Sequence, residues 1–323
     1  MKIAVRYSVM VGLLWAIRGL LPAVSQANPQ TKEVAFTIDD LPVVTYGIDD
    51  TAYQRNLTTR LVTALQRNGI PAIGFVNERK LHNNGQIDKF RVSLLDQWLD
   101  HGLELGNHSY SHPDYNDIFC NIYTADIVQG EPILKELLGR RGKELRYFRH
   151  PYLHVGNTKA KADSLSKFLE GRNYIVAPVS IDNDDYLFAV VYKRASVKKD
   201  SALMLQVGND YISYLERKLK YYEKQAAALF GRNIKQTLLF HASELNSRYI
   251  DSLINMFKRN GYTFVSLGEA LRDPAYQTEV TKYGKWGISW LDRWALSAGK
   301  AGEFFAGEPP TPAYIESLAK QKE

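Results

Sequence analysis

Two pairs of side chains suited to metal binding and proton transfer stand out in the sequence. Asp39 and Asp40 are adjacent carboxylates that directly follow an apolar run. Because adjacent carboxylates repel each other, one of them normally needs a cation or a raised pKa, and a helix N-cap would account for only one Asp. His108 and His112 lie four residues apart, so a helical turn would bring both imidazoles to one side, facing one metal ion.

The histidine pair and one of these carboxylates together are typical of a two-His, one-carboxylate metal site with open positions. The His-x-x-x-His spacing alone is weak evidence, since many such pairs are exposed helix residues. Zinc suits these ligands best, and cobalt, nickel, manganese and iron remain open alternatives. Three protein ligands leave room for water, which a catalytic site needs.

Three further polar clusters follow apolar runs later in the chain. They are Arg149–Tyr152, the acidic run Asp182–Tyr186, and His241. The oxygens of the acidic run offer an alternative, a calcium site. Because ligands of parallel α/β folds bind where strands end and loops begin, a single catalytic rim explains all the clusters at once.

Short apolar runs alternate with helical patterns from Glu33 onward, and this alternation would position the clusters. Seven strands are predicted, at Val34–Ile38, Ala72–Val76, Leu103–Gly106, Arg146–Arg149, Tyr174–Val179, Thr237–His241 and Thr263–Ser266. Six helices are predicted between them, at Tyr53–Asn68, Val92–His101, Thr124–Leu138, Thr158–Glu170, Leu203–Phe230 and Ser247–Asn260. The alternation predicts an α/β fold with a parallel sheet, and seven strands in about 235 residues favour one barrel-like domain.

These clusters, in this order, resemble the motifs of the NodB-homology polysaccharide deacetylases, the fourth family of carbohydrate esterases. The family's T-F-D-D-G, H-S/T-x-x-H-P, R-x-P-Y, D-x-x-D-W and L-x-H motifs are similar, in turn, to Thr37–Leu41, His108–Pro113, Arg149–Tyr152, Asp182–Tyr186 and Leu239–His241. The resemblance extends from about Glu33 to Leu267, most of the chain. Each motif alone is weak, but five in register are specific.

The resemblance implies a distorted barrel of seven or eight β/α units and the metal-dependent removal of an acetyl group from an N-acetylated sugar. It assigns the metal ligands to Asp40, His108 and His112, and the general base to Asp39. The metal would lower the pKa of its bound water and polarise the acetyl carbonyl.

The other site residues are implied by the same resemblance. The backbone N–H of Tyr152 would stabilise the oxyanion, and Pro151 and Tyr186 would join it in contacting the substrate. His241 would protonate the departing amine. Asp185 would orient His241, and Arg149 would orient Asp39.

Several residues depart from the family pattern. Leu41 replaces a Gly, which we expect to alter the loop and narrow the cleft, and Leu153 also stands where a Gly is common. Tyr186 replaces a Trp, which would make the acetyl-facing wall less apolar. His150 and His154 are extra imidazoles that would bind a second ion, contact substrate or, as we favour, be partly exposed loop residues.

The N-terminal residues 1–27 are predicted to be a secretory signal peptide. They combine cations at Lys2 and Arg6, an apolar stretch at Val9–Ile17 and a small-x-small cleavage site at Ser25–Ala27. Export to a bacterial periplasm or the medium follows, with no stable membrane anchor after cleavage; an uncleaved anchor is the alternative. Cys120 is the only cysteine, so the chain forms no intramolecular disulfide.

The composition is that of a soluble globular protein, with 45% hydrophobic and 24% charged residues among 323. The net charge of +6 falls to +3 without the first 27 residues, too little to predict a nucleic-acid partner. We expect a catalytic domain over 28–271 and an aromatic-rich extension packed on it over 272–323. Trp286, Trp290 and Trp294 would form one helical stripe, packed on the barrel rather than stacking on sugar.

The leading functional hypothesis is an exported, metal-dependent deacetylase of an amino-sugar polymer or oligomer, such as chitooligosaccharide, peptidoglycan or a biofilm glucan. The alternatives are an O-acetyl esterase or small-amide hydrolase of the same fold, and a non-catalytic sugar-binding barrel. An intact pair of base and acid, Asp39 and His241, argues against the last, since binding alone requires neither. The sequence leaves open the oligomeric state, and whether the tyrosine-rich Leu203–Phe230 helix is a partner surface or a cleft wall.

Overall fold

A curled parallel sheet supports the polar clusters. The computed structural model describes residues 31–321, so the predicted signal peptide over residues 1–27 lies outside the described residues. The strands are β1 (Lys32–Val44), β2 (Ile73–Val76), β3 (His82–Asn83), β4 (Gln86–Ile87), β5 (Glu104–Asn107), β6 (Tyr147–Phe148), β7 (Ile175–Val176), β8 (Gln236–Ser243) and β9 (Tyr262–Phe264). All seven predicted strands are present, and the small antiparallel pair β3–β4 is additional.

The main sheet has the order β7-β6-β5-β2-β1-β8, with β9 beside the start of β1, and all its pairs are parallel. Just after β7, Ile181 forms a parallel bridge with Leu238 of β8. The backbone N–H groups of Ser180 and Ile181 also donate to the carbonyl oxygen of Thr237. The two ends of the sheet therefore meet, which confirms the predicted α/β fold with a distorted barrel.

Strand β1 pairs with three strands, β2, β8 and β9, and its sequence suits this buried position. Val34, Ala35, Phe36 and Ile38 are all fully buried, as expected for a parallel strand covered on both faces. Leu41 is fully buried too, with its side chain in the space beside Gly74, where an added Cβ would lie 2.4 Å from a Leu41 methyl. The expectation that Leu41 narrows the cleft is therefore wrong, because its side chain points into the core.

Eleven α-helices lie in the described residues. They are α1 (Thr51–Arg67), α2 (Lys89–Asp100), α3 (Cys120–Gln129), α4 (Pro132–Gly139), α5 (Lys159–Gly171), α6 (Asp185–Val197), α7 (Ser201–Phe230), α8 (Glu244–Arg259), α9 (Leu267–Ala270), α10 (Trp290–Ser297) and α11 (Ala313–Lys320). None of them is both long and apolar enough to span a membrane.

Two helix predictions need correction. The predicted helix Thr124–Leu138 is divided into α3 and α4, because Pro132 has no N–H to continue the ladder and instead begins the second helix. No helix is predicted between Tyr174–Val179 and Leu203–Phe230, yet the acidic run after β7 leads into one, with Asp185 as the first residue of α6. Carboxylates are favourable in the first turn of a helix, so Asp185 can begin α6 and still belong to the fourth motif.

The predicted aromatic stripe forms only in part. Trp290 and Trp294 are buried on α10, whereas Trp286 precedes that helix and is 43% exposed. The boundary between residues 271 and 272 remains a prediction. The tyrosines of α7, Tyr211, Tyr214, Tyr221 and Tyr222, are all buried, so they form neither an exposed partner surface nor part of the cavity described below.

Candidate active site

A cavity of about 650 Å³ lies where the parallel strands end, and residues from all five motifs line it. Seven of the ten predicted site residues are in its lining: Asp39, Asp40, His108, His112, Tyr152, Tyr186 and His241. The other three are buried behind the lining. Arg149 lies against Asp39, Asp185 lies against His241, and Pro151 begins the turn that carries Tyr152.

Asp40, His108 and His112 form a group suited to a divalent metal ion. Asp40 Oδ1 lies 3.7 Å from Nε2 of each histidine, and the three donor atoms lie within 4.8 Å of one another. Nδ1 of His108 is 2.9 Å from the carbonyl oxygen of Arg149 and donates to it, which leaves the lone pair of Nε2 available to a metal ion. Asp40 Oδ1 is buried and has no hydrogen-bond partner among the described residues. This donor set fits a metal such as zinc.

The local electrostatics favour the protonation states that a metal ion requires. Burial lowers the pKa of His108 well below its ordinary value and also lowers that of His112. Burial would raise the pKa of Asp40, but the charges of Lys80 and His112 outweigh it and hold this pKa far below its usual range. Neutral imidazoles and an ionised carboxylate are the forms that bind metal.

The histidine pair is held by a loop, not by the helical turn that the spacing suggested. Ser109 and His112 adopt left-handed backbone conformations, with φ of 62° and 59°. The carboxylate of Asp126 accepts hydrogen bonds from two successive N–H groups of the loop, at 2.9 and 3.0 Å, and Ser109 Oγ accepts from the N–H of His112 at 3.1 Å. Polar side chains of this kind offer the backbone an alternative to helix. The two imidazole centroids are 4.8 Å apart.

Asp39 is nearly fully buried beside the metal-binding group. Its Oδ2 lies 3.4 Å from Nη1 of Arg149 and 3.7 Å from Nε2 of His108. Arg149 is itself fixed, because its Nη2 donates to Thr37 Oγ1 at 2.8 Å. Burial raises the pKa of Asp39 to about 6, even though the charges of Arg149 and His241 oppose this change. Such a carboxylate can accept a proton near neutral pH.

His241 lies on the strand next to Asp39. The two residues are register partners on β8 and β1, so their side chains point to the same face of the sheet. His241 Nδ1 is 2.7 Å from Asp185 Oδ1, and its backbone N–H donates to Asp185 Oδ2 at 2.9 Å. Burial would lower the pKa of His241, but the charge and hydrogen bond of Asp185 raise it to about 9.

Three residues that the sequence reasoning missed support this geometry. Asn246 Nδ2 donates to Asp185 Oδ2 at 2.6 Å and to the carbonyl oxygen of His241 at 2.8 Å. Tyr211 of α7 donates to Asn246 Oδ1 at 2.6 Å. Lys80 donates to the carbonyl oxygen of Asp40 at 2.8 Å. No local pattern marks these residues, because each contributes through a partner distant in the sequence.

The remaining acidic residues do not converge on a second ion. Asp185 is engaged by His241, while Asp184 Oδ2 accepts hydrogen bonds from Thr311 at 2.7 Å and from Tyr214 at 3.3 Å. In residues 31–321, Asp40, His108 and His112 are the only group of three potential ligands close enough to share an ion. The acidic run therefore offers no cluster of three carboxylates for a calcium ion within the described residues.

The two extra histidines differ from each other. His150 is only 4% exposed and stacks on Trp290 at 6.4 Å between ring centroids, so the expectation of a partly exposed loop residue is wrong for it. Burial and the charge of Arg293 lower the pKa of His150 to about 3. His154 is partly exposed, and its Nδ1 lies 2.7 Å from Asp114.

Tyrosines form the open rim of the cavity. The rings of Tyr152 and Tyr186 are about half exposed, and the Tyr152 ring packs edge-on against His112 with centroids 4.5 Å apart. Tyr46 also lines the cavity and donates to the carbonyl oxygen of Tyr186 at 3.3 Å. Amphipathic aromatic rings at the mouth of a polar cavity suit a ligand with both apolar faces and hydroxyl groups.

Comparison with known proteins agrees with the motifs. A family model described as polysaccharide deacetylase matches residues 26–167, which include the first three motifs. A peptidoglycan-N-acetylglucosamine deacetylase of Bacillus cereus is 26% identical over 161 residues, which cover 50% of this chain and 49% of that protein. A chitin deacetylase of Pestalotiopsis sp is 30% identical over 152 residues, covering 47% of this chain and 45% of that protein.

The chain spans about half the length of these curated relatives. Among solved structures, a peptidoglycan N-acetylglucosamine deacetylase in complex with a small molecule aligns with a TM-score of 0.48 and 19% identity, covering 75% of this chain and 89% of that one. The motifs and the family model agree over residues 26–167, the region that holds three of the five motifs and that is similar to polysaccharide deacetylases.

Proposed function

We propose that this chain is an exported, metal-dependent hydrolase that removes N-acetyl groups from an amino-sugar polymer or oligomer. The match of residues 26–167 to the polysaccharide deacetylase model supports a hydrolase. The relatives are named as deacetylases of peptidoglycan and of chitin, both acetylated glycans, which supports an acetylated glycan as the substrate. The observation that carries the proposal is the placement of Asp39 and His241 on neighbouring strands beside the group Asp40, His108 and His112.

Asp40, His108 and His112 would hold one divalent ion, for which zinc is the proposed identity. When bound, such an ion supplies a coordinated water of lowered pKa and polarises a carbonyl oxygen. The fit rests on the orphaned Oδ1 of Asp40 and on the two imidazole Nε2 atoms that face it.

Asp39 serves as the general base of this reaction. With its pKa raised to about 6, it is ionised above that pH and takes a proton from the attacking water. Arg149 holds the carboxylate in place from behind. The backbone N–H of Tyr152 donates to the oxygen on which negative charge develops.

His241 serves as the general acid. Because its pKa is raised to about 9, the imidazole is protonated at neutral pH and delivers that proton to the departing amine. Asp185 fixes the ring through Nδ1, so that Nε2 faces the cavity. Tyr186 forms the substrate-facing wall, and Pro151 shapes the turn beside it.

Acetate release from N-acetylglucosamine oligomers tests the proposal. The metal-loaded protein is assayed beside acetylated xylan, with a chelated sample and Asp39→Asn as controls. We expect chelator-sensitive release from the amino-sugar oligomers that Asp39→Asn abolishes. Release from xylan alone would replace the N-acetyl proposal with an O-acetyl esterase, and silence on both substrates would refute deacetylation of either class.

A further inference from the structure

A segment near the C-terminus contacts the third motif directly, although it lies beyond all five motifs and beyond the matched residues 26–167. Nη2 of Arg293 donates to the carbonyl oxygen of Leu153 at 2.8 Å and to that of Trp286 at 2.7 Å. Gly287 packs so closely that an added Cβ would lie 2.3 Å from the carbonyl oxygen of Tyr152. The same glycine lines the catalytic cavity.

The loop that this segment touches has a strained backbone. Tyr152 and Leu153 both have φ of 55°, a left-handed conformation that non-glycine residues rarely adopt. Such conformations persist only where the surrounding structure holds them. The loop's own hydrogen bonds, Leu153 N to His150 O and His154 N to Pro151 O, span one turn. Arg293 adds a restraint from a residue 140 positions away.

Arg293 is well placed to act as a rigid restraint. It is fully buried on α10, and its guanidinium carbon lies 5.5 Å from the ring centroid of Trp290. The helix is fixed in turn, because the N–H of Trp290 donates to the carbonyl oxygen of Val179 at 2.7 Å and Ser289 caps its first turn. A planar guanidinium holds two carbonyl groups with more directional precision than an ammonium does.

We propose that Arg293 is a positioning residue for the deacetylation, which holds the Tyr152–Leu153 backbone so that the N–H of Tyr152 faces the reacting acetyl group. The proposal rests on the proposed function, since it assigns that N–H to the oxyanion. It makes residues 286–293 part of the active site. A displacement of about 1 Å in such a group lowers turnover by up to about 10²-fold.

The variant Arg293→Ala tests the proposal. We expect kcat to fall by about 10- to 100-fold while KM stays within about threefold and the bound metal content is unchanged. Arg293 also borders a second cavity of about 320 Å³, so its removal opens a path for a small cation. Added guanidinium ion should restore part of the lost kcat, whereas ammonium ion should not, because it lacks the planar shape that packs beside the Trp290 ring.

Arg232→Ala is the matched control. Arg232 is only partly buried, but like Arg293 it links distant segments, binding Asp273 at 2.5 and 2.8 Å, and it does not contact the third motif. We expect its kcat to stay near that of the unmodified protein and not to respond to guanidinium. A kcat for folded Arg293→Ala within about twofold of the unmodified value would overturn the proposal, as would a loss that guanidinium leaves unchanged.

Hydrogen exchange gives a readout that does not depend on activity. In Arg293→Lys, chosen to retain the buried charge and fold, we expect faster exchange at the amides of residues 152–154, with the β1 and β8 amides unchanged. Unaltered exchange at 152–154 would overturn the positioning role. If the unmodified protein released no acetate, the proposed function would fail, while this measurement would still decide whether Arg293 restrains the loop.

Discussion

The two walls of the catalytic cavity hold their buried carboxylates by opposite means. On the wall that carries the metal-binding group, Oδ1 of Asp39 and Oδ1 of Asp40 are buried without a hydrogen-bond partner among residues 31–321. Behind the neighbouring wall, which carries His241, Asp185 is fully buried too, but both of its oxygens accept hydrogen bonds, from His241 and Asn246. Buried polar groups are normally satisfied, so the orphaned oxygens indicate a ligand-binding wall.

The pKa values of the two walls diverge in the same way. Burial lowers the pKa of His108, where no hydrogen-bonded carboxylate compensates, and it raises that of Asp39 to about 6. The carboxylate of Asp185 instead raises the pKa of His241 to about 9. Groups whose environments push their pKa values apart take the separate roles of base and acid. In the proposed reaction, the wall with Asp39 and Asp40 would bind the cation and accept a proton, and His241 on the other wall would deliver one.

The largest expected effect comes from a substitution of Asp39, on the wall that carries the proposed metal-binding group. Asp39→Asn keeps the shape of the side chain but removes the proposed base. We therefore expect kcat for acetate release to fall by about 10²- to 10⁴-fold. Bound metal, measured by atomic absorption, should stay at the unmodified level, because Asp39 is not a ligand. Turnover near that of the unmodified protein would show that another group is the base.

Substitution of a proposed metal ligand should lower the affinity for zinc, whereas substitution of His241 should not. In His108→Ala, we expect affinity for zinc to fall by at least about tenfold, the loss seen even for residues one shell further out. In His241→Ala, which alters the neighbouring wall, affinity for zinc should stay close to that of the unmodified protein. Competition with a chromophoric chelator measures both, and equal affinities in the two variants would contradict the assigned ligands.

Asp185→Asn should shift the titration of His241. The carboxylate raises the pKa of His241 from 6.5 to about 9, so its removal should lower that pKa and move the alkaline limb of kcat/KM to lower pH. Because the folded-state pKa exceeds the unfolded one, His241 contributes stability that is present below about 6.5 and lost as pH rises through about 9. NMR titration of the metal-free protein measures the shift, and an unchanged pKa would refute the role of Asp185.

A smaller effect is expected from removal of the Tyr211 hydroxyl, which supports Asn246 behind His241. Tyr211→Phe removes the hydroxyl that donates to Asn246 Oδ1 and leaves this buried oxygen without a partner. We expect the free energy of unfolding in urea to fall by about 1–3 kcal/mol. Tyr249→Phe, on helix α8 beside α7, is a matched control. The Tyr249 hydroxyl makes no hydrogen bond within residues 31–321, so the substitution removes none. Equal stabilities of the two variants would argue against a continuous network.

The smallest expected effect lies outside both walls. Cys120 begins α3 and is not part of the cavity lining, and no step of the proposed reaction needs a thiol. We expect Cys120→Ser to leave kcat unchanged and to alter the free energy of unfolding by about 0.5 kcal/mol or less. Loss of turnover in a folded Cys120→Ser protein would reveal a role for this thiol.

Most of the fold and the reactive residues were predictable because their signals are local. Apolar runs such as Val34–Ile38 are long enough to identify buried strands. The spacing of His108 and His112 predicted that they share one site, although the loop that unites them is not helical. Leu41 shows the opposite case, because its burial beside Gly74 depends on a strand more than thirty residues away.

The sequence by itself determined the alternation of strands and helices, the donor types suited to a metal ion, and the position of Asp39 and His241 at the ends of strands, since hydrophobic period and motif order are properties of short segments. That these two strands are neighbours is a property of the sheet. Only the tertiary structure decided which atoms are satisfied and which remain open. Asn246 reaches Asp185 across 61 positions, and Arg293 reaches Leu153 across 140. Contacts of this separation leave no local pattern, because they form only once the sheet has curled and brought its ends together.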